Sequence, residues 1–190
     1  MLISISTARA AGTLRVQVWR KLRSLGALYV QQSVCLLPDR PEVAREVRRL
    51  LDRVDHQGGA GRCWRIMFTE AGEERQVIAE LNAAREAEYA EVLERLPALR
   101  EELDQERARG RLTYAEVEES EADLERFRSW LAKIAARDYF GAPGGAAARA
   151  AVEDAVADFA AFEQAALGAE SPAAPAASEA RQPPSRMEGE

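Results

Sequence analysis

"RVQVWRKLRSLGALYVQQSVCLLPDRPEV" spans residues 15–43, and the fold turns on how it is read. Leu14, Val18, Leu22 and Leu25 recur at spacings of four, four and three, which places them on one face of a helix. Gly12 and Thr13 open that helix, and Gly26 is its stop signal. "ALYVQ" and "SVCLLP" follow as two β-rich runs, joined around Gln31–Ser33 as a hairpin. Pro38 and Asp39 end the second run. Pro41 suits the first turn of a new helix, where a missing N–H costs nothing.

Working outward, "LISIST" (2–7) alternates apolar residues with serines and reads as a short strand. Val43, Val47, Leu50, Leu51 and Val54 give the second helix its buried stripe. Gly58, Gly59 and Gly61 close that helix, "GGAGR" (58–62) reading as a turn, and "RCWRIMFTE" (62–70) supplies a last strand. The order β-α-β-β-α-β is the split βαβ pattern of ferredoxin-like domains. Trp19 is expected to pack against the sheet.

After Gly72 the chain changes character. Tyr89, Val92, Leu96, Leu99 and Leu103 step by three, four, three and four, a heptad seam. Val117, Ser120, Leu124, Phe127, Leu131 and Ile134 form a second one. Arg109–Leu112 is the break between them, with Gly110 as C-cap. Thr113 and Glu116 make a T-x-x-E capping box. Two long helices joined by a short turn pack antiparallel. The first would reach about 50 Å and be kinked at Pro97. "GAPGG" (141–145) reads as a hinge before an Ala-rich helix anchored by Val152, Val156, Phe159 and Phe162. The expected fold class is therefore α+β: a ferredoxin-like domain (1–71), an antiparallel helical hairpin (72–140), a C-terminal helix (141–168) and a disordered tail (169–190).

The charge is divided along the chain. Residues 1–65 hold twelve Lys/Arg and five Asp/Glu, a balance of +7, while the remainder balances at −13. Up to Pro38 there are five cations (Arg9, Arg15, Arg20, Lys21, Arg23) and no carboxylate. A basic module on an acidic protein hints at a polyanionic partner, against the blander account that it docks on its own acidic arm. Arg15, Arg20, Lys21 and Arg23 are the candidate nucleic-acid-binding residues, suited to salt-dependent phosphate contacts.

No catalytic or metal motif emerges, and no cofactor is expected. His56 is the sole histidine and sits at a helix C-terminus, where it favours the last carbonyls. Cys35 and Cys63 lie on different strands and have no closely spaced partner for a metal. "GGAGR" precedes a strand and lacks the Lys-Ser/Thr of a phosphate loop. No secretory leader or apolar run of about 20 residues is present, so the expected compartment is the cytoplasm, with both thiols reduced and no membrane contact.

"RVQVWRKLRSLGALYVQQSVCLLPDRPE", "LNAAREAEYAEVLE" and "RGRLTYAEVEESEADLERFRSWLAKIAARDYFGAP", in that order, resemble the N-terminal domain of the chromate resistance regulator ChrB over residues 2 to 165. The first motif is also similar to the ferredoxin-like core of the phenylacetate repressor PaaX, a fold related to CRISPR-associated small nucleases. The resemblance implies a non-enzymatic transcription regulator, or regulator fragment, of chromate-efflux operons. Val34-Cys35 stand where the family's hairpin carries an aromatic. Ser6 and Thr7 stand where nuclease relatives carry an acidic metal ligand. The family's further C-terminal domain is replaced by the tail, which points to a partner polypeptide. A homodimer through a sheet edge or the Phe159/Phe162 helix is also expected. The alternative is a scaffold protein whose helical hairpin binds a partner chain.

Overall fold

The computed structural model describes residues 1–8, 12–109 and 113–170, with side chains as far as Gly168. Four strands and five helices follow one another as β1 (Leu2–Ser6), α1 (Gly12–Ser24), β2 (Leu28–Gln31), β3 (Val34–Leu36), α2 (Pro41–His56), β4 (Ala60–Trp64), α3 (Ala71–Arg109), α4 (Tyr114–Ala135) and α5 (Gly144–Glu170). The class is α+β, as expected. The strands pair antiparallel in the order β2-β3-β1-β4, which is the ferredoxin-like arrangement.

One face of the sheet carries Ile3, Ile5 and Cys35, and α1 and α2 lie across it. Leu14, Val18 and Leu22 from α1 and Val43, Val47, Leu50 and Val54 from α2 complete this core. The stripes read from spacing are thus the buried ones. On the other face Trp64, Leu2, Leu36 and Leu28 fall in one row across the strands. Val77, Ile78 and Leu81 of α3 share a cavity of about 490 Å³ with Leu36.

The last strand lies earlier than its expected span of 62–70. β4 begins at Ala60, and Met67 is 95% exposed in the irregular segment beyond it. The glycine-rich stretch is therefore partly strand. The reason is close packing: a Cβ on Gly61 would overlap Leu51 Cδ2, so a bare backbone lets α2 approach β4.

The α3 seam is buried, the α4 seam is buried at Ser120, Leu124 and Ile134 and half-buried at Val117, Phe127 and Leu131, and α5 packs against both as a third helix. Tyr89, Val92, Leu96 and Leu99 of α3, Leu124 and Ile134 of α4, and Val152 and Ala155 of α5 form one core. Phe162 is fully buried and Phe159 packs against this core. Helix α3 has 39 residues and spans about 58 Å. It continues through Pro97, which lies at an exposed position. Thr113 and Glu116 form the reciprocal capping box at the start of α4. The expected Gly110 cap and the tail beyond residue 170 lie outside the described residues.

The "GAPGG" turn is a fastened joint rather than a hinge. Asp138 Oδ1 accepts the backbone N–H groups of Gly141 and Ala142, at 3.0 and 2.9 Å. Gly144 N donates to Glu86 Oε2 at 2.7 Å, and Tyr89 Oη to Asp138 Oδ2 at 3.1 Å. Gly141 holds φ +74°, a left-handed conformation natural to glycine. The same loop ties the helical bundle to the sheet domain. Tyr139 Oη donates to the Leu25 carbonyl at 2.9 Å, and Arg40 stacks on the Tyr139 ring and donates to its carbonyl.

Candidate nucleic-acid interface

Helix α1 presents three faces, and its phase assigns a task to each. Leu14, Val18 and Leu22 face the sheet. Lys21 turns toward α2 and donates to Glu46 Oε2 at 2.6 Å, while Arg49 holds the second oxygen of that carboxylate. The Lys21 hydrogen bond, reinforced by its charge, holds the Glu46 carboxyl below the usual range. Arg15 and Trp19 turn the other way and line a groove with the β2–β3 hairpin, Arg23 lies against the Trp19 ring, and Arg20 is exposed.

Of the four cations singled out by sequence, the structure thus separates Lys21 from the rest. Arg15, Arg20 and Arg23 are exposed and meet no carboxylate among the described residues. Lys21 instead cross-braces α1 and α2. The carboxylate it meets lies on α2, within its own domain, and not on the acidic helical arm.

Trp19 corrects the expectation of core packing. It is 47% exposed, and the Arg23 guanidinium lies 5.2 Å from its ring centroid. Its position, about 100° round the helix from Val18, follows from the 3.6-residue turn. The spacing of the leucine stripe was the signal that excluded it from the core. Beside it, a groove of about 1010 Å³ runs between α1 and the hairpin. Edge strand β2 forms the far wall, where Tyr29 and Val30 are exposed, Val30 lying at a bulge between the Tyr29↔Cys35 and Gln31↔Val34 pairs. Sequence reasoning had no local signal for this wall, because a hairpin and a helix separated in the chain create it together.

Cys35 lies at the groove floor, buried. Burial pushes its thiol up to about 11, with the Cys63 thiol adding to the shift. Burial likewise raises the Tyr29 hydroxyl. Both groups are neutral near pH 7, and raised thiols are poor nucleophiles and poor metal ligands. Among the described residues no group of three or more His, Cys, Asp or Glu is placed to hold a metal ion. His56, the last residue of α2, has Nδ1 2.6 Å from the Asp52 carbonyl; since a carbonyl only accepts, this nitrogen is the protonated one.

These features define an α+β protein in which a ferredoxin-like domain with an exposed arginine face is fastened to a three-helix bundle. The particular family follows from the sequence comparison: residues 15–171 match the family described as Protein ChrB, N-terminal, and the chain belongs to it. No curated protein and no solved structure matches the chain. No helix among the described residues is long and apolar enough to cross a membrane.

Proposed function

We propose that this protein is a DNA-associated transcription regulator, or a component of one, linked to chromate resistance. Membership of the ChrB N-terminal family supports the regulatory class. The observation that carries the DNA reading is the set of α1 arginines, Arg15, Arg20 and Arg23, without carboxylate partners among the described residues, in a region balanced at +7. Phosphates supply the missing counter-charge, with affinity set by counter-ion release. The protein acts by binding, without catalysis.

The test is salt-dependent binding of the purified chain to its own promoter DNA. Replacing Arg15, Arg20 and Arg23 with glutamine should weaken binding and flatten the log-log salt slope by about 0.9 per lost contact, up to about 3 units. Unchanged affinity and slope in the folded triple variant would overturn the reading.

A second reading, an interaction protein that binds a partner chain, draws on the exposed apolar residues Trp64, Ile66, Met67 and Phe140. It places the partner on the sheet domain and its loop rather than on the helical hairpin, whose seams are consumed by α5. Homodimerisation belongs to the same proposal. The Phe159/Phe162 surface is spent inside the bundle, so a dimer would use edge strand β2 or β4. Analytical ultracentrifugation showing only monomer at high micromolar concentration would remove it.

A further inference from the structure

The groove beside α1 is more than a neighbour of the phosphate-binding arginines. It has one aromatic wall from α1, an open strand edge opposite, and amide and hydroxyl groups from Gln31, Gln32 and Ser33 at its end. Among the described residues no carboxylate lines it. A helix that met only duplex phosphates would gain little from an indole left half-exposed at the centre of its cationic flank, since duplex bases present edges and not faces. An aromatic face beside cations is the pairing that single strands use: bases stack on the ring while the backbone tracks the positive charge. Arg23 already lies over the Trp19 ring, 5.2 Å from its centroid, so cation and aromatic face stand side by side.

We propose that the groove between α1 and the β2–β3 hairpin takes unstacked bases of DNA, with Trp19 as the stacking face and Arg15 and Arg23 as the phosphate contacts. This rests on the DNA reading above and deepens it: the preferred substrate is single-stranded or locally opened DNA. Gln31, Gln32 and Ser33 offer both donors and acceptors, so they can meet any base edge. They therefore give tolerance rather than a sequence code. The neutral floor, with Cys35 and Tyr29 protonated near pH 7, adds no repulsion toward a polyanion.

The experiment measures fluorescence anisotropy of the full chain with a labelled oligo-dT and with the same strand annealed to oligo-dA, across a salt series. The wild type should bind oligo-dT more tightly than the duplex. Trp19→Ala should weaken oligo-dT binding about tenfold while leaving the salt slope unchanged, because stacking releases no counter-ions. Trp19→Phe should keep most of the affinity, which separates loss of a ring from loss of fold. Val30→Glu, at an exposed bulge position, should also weaken oligo-dT binding by placing a carboxylate on the groove rim. If Trp19→Ala binds oligo-dT like the wild type while the Arg15/Arg20/Arg23 variant still weakens duplex binding, the groove inference fails and the DNA reading stands. If neither nucleic acid shows salt-dependent binding, both fail.

Discussion

The sheet domain and the helical bundle treat their arginines in opposite ways. In the bundle, Arg85 and Arg137 share Glu88, Arg100 meets Asp158, and Arg95, Arg107, Arg109, Arg126 and Arg128 each find a carboxylate one helical turn away. In the sheet domain Lys21, Arg49 and Arg65 are paired, whereas Arg15, Arg20, Arg23, Arg45, Arg48, Arg53 and Arg62 meet no carboxylate among the described residues. Most bundle arginines are thus held by carboxylates, Arg75 and Arg149 excepted, whereas most sheet-domain arginines meet none among the described residues. Exposed pairs contribute little to stability, about 0–1 kcal/mol each, so the contrast concerns availability more than strength.

The largest test removes one region from the other. Cutting the chain after Glu70 should yield an aggregating fragment, because Leu36 and the Tyr139 contact side of the core lose their covers. A monomeric, soluble fragment in sedimentation would break the idea that the sheet domain depends on the bundle. Next comes Glu88→Ala. It strips the shared carboxylate from Arg85, only 7% exposed, and from half-buried Arg137. The loss should be about 3 kcal/mol in denaturant unfolding, since a buried guanidinium would be left uncompensated. A loss below about 1 kcal/mol would show that solvent or a neighbour replaces the carboxylate.

Tyr139 tests the seam between the regions. Burial is the main cause raising its hydroxyl above the ordinary 10.0, with the Glu42 charge next. A folded value above the unfolded one means the contribution is full below about pH 10 and is lost as pH rises through the folded value. Tyr139→Phe should cost about 1 kcal/mol at neutral pH by losing the bond to the Leu25 carbonyl. The variant should also lose less stability than the wild type on going to high pH, as followed by thermal melts in an alkaline series. The smallest effect is Lys21→Gln, about 0.2–1 kcal/mol for a half-exposed pair. It should leave the DNA salt slope unchanged, in contrast to the Arg15, Arg20 and Arg23 substitutions.

What the sequence discloses here is what repeats locally. The α1 and α2 stripes, both heptad seams and the Thr113 capping box are periodic or short-range, and each occupies the position its spacing assigns. The β4 boundary escaped because glycine is a turn signal along the chain, while Gly61 is required by Leu51 from another element. Trp19 departs from the expectation because helical phase, not side-chain size, sets which residues of α1 face the sheet. The Asp138–Tyr139 joint has no period at all: its partners Glu86, Tyr89, Arg40 and Leu25 lie far away along the chain. The candidate site was half legible. Its cations stood out by composition, but the groove wall opposite them comes from a hairpin that only the fold brings near.

The Tyr139–Leu25 hydrogen bond spans 114 positions of the chain, and this sets a timetable for synthesis. Residues 1–64 can pair their strands and lay down two helices as soon as they leave the ribosome. The tyrosine that closes the end of α1 arrives only after α3 and α4 have been made. At about 5–20 residues per second, the nascent domain waits several seconds with that end uncovered. Contacts of such separation also slow the final docking, since the intervening chain must be ordered before they form. The expected consequence is a basic, partly open sheet domain on the nascent chain until residue 139 emerges to cover the end of α1.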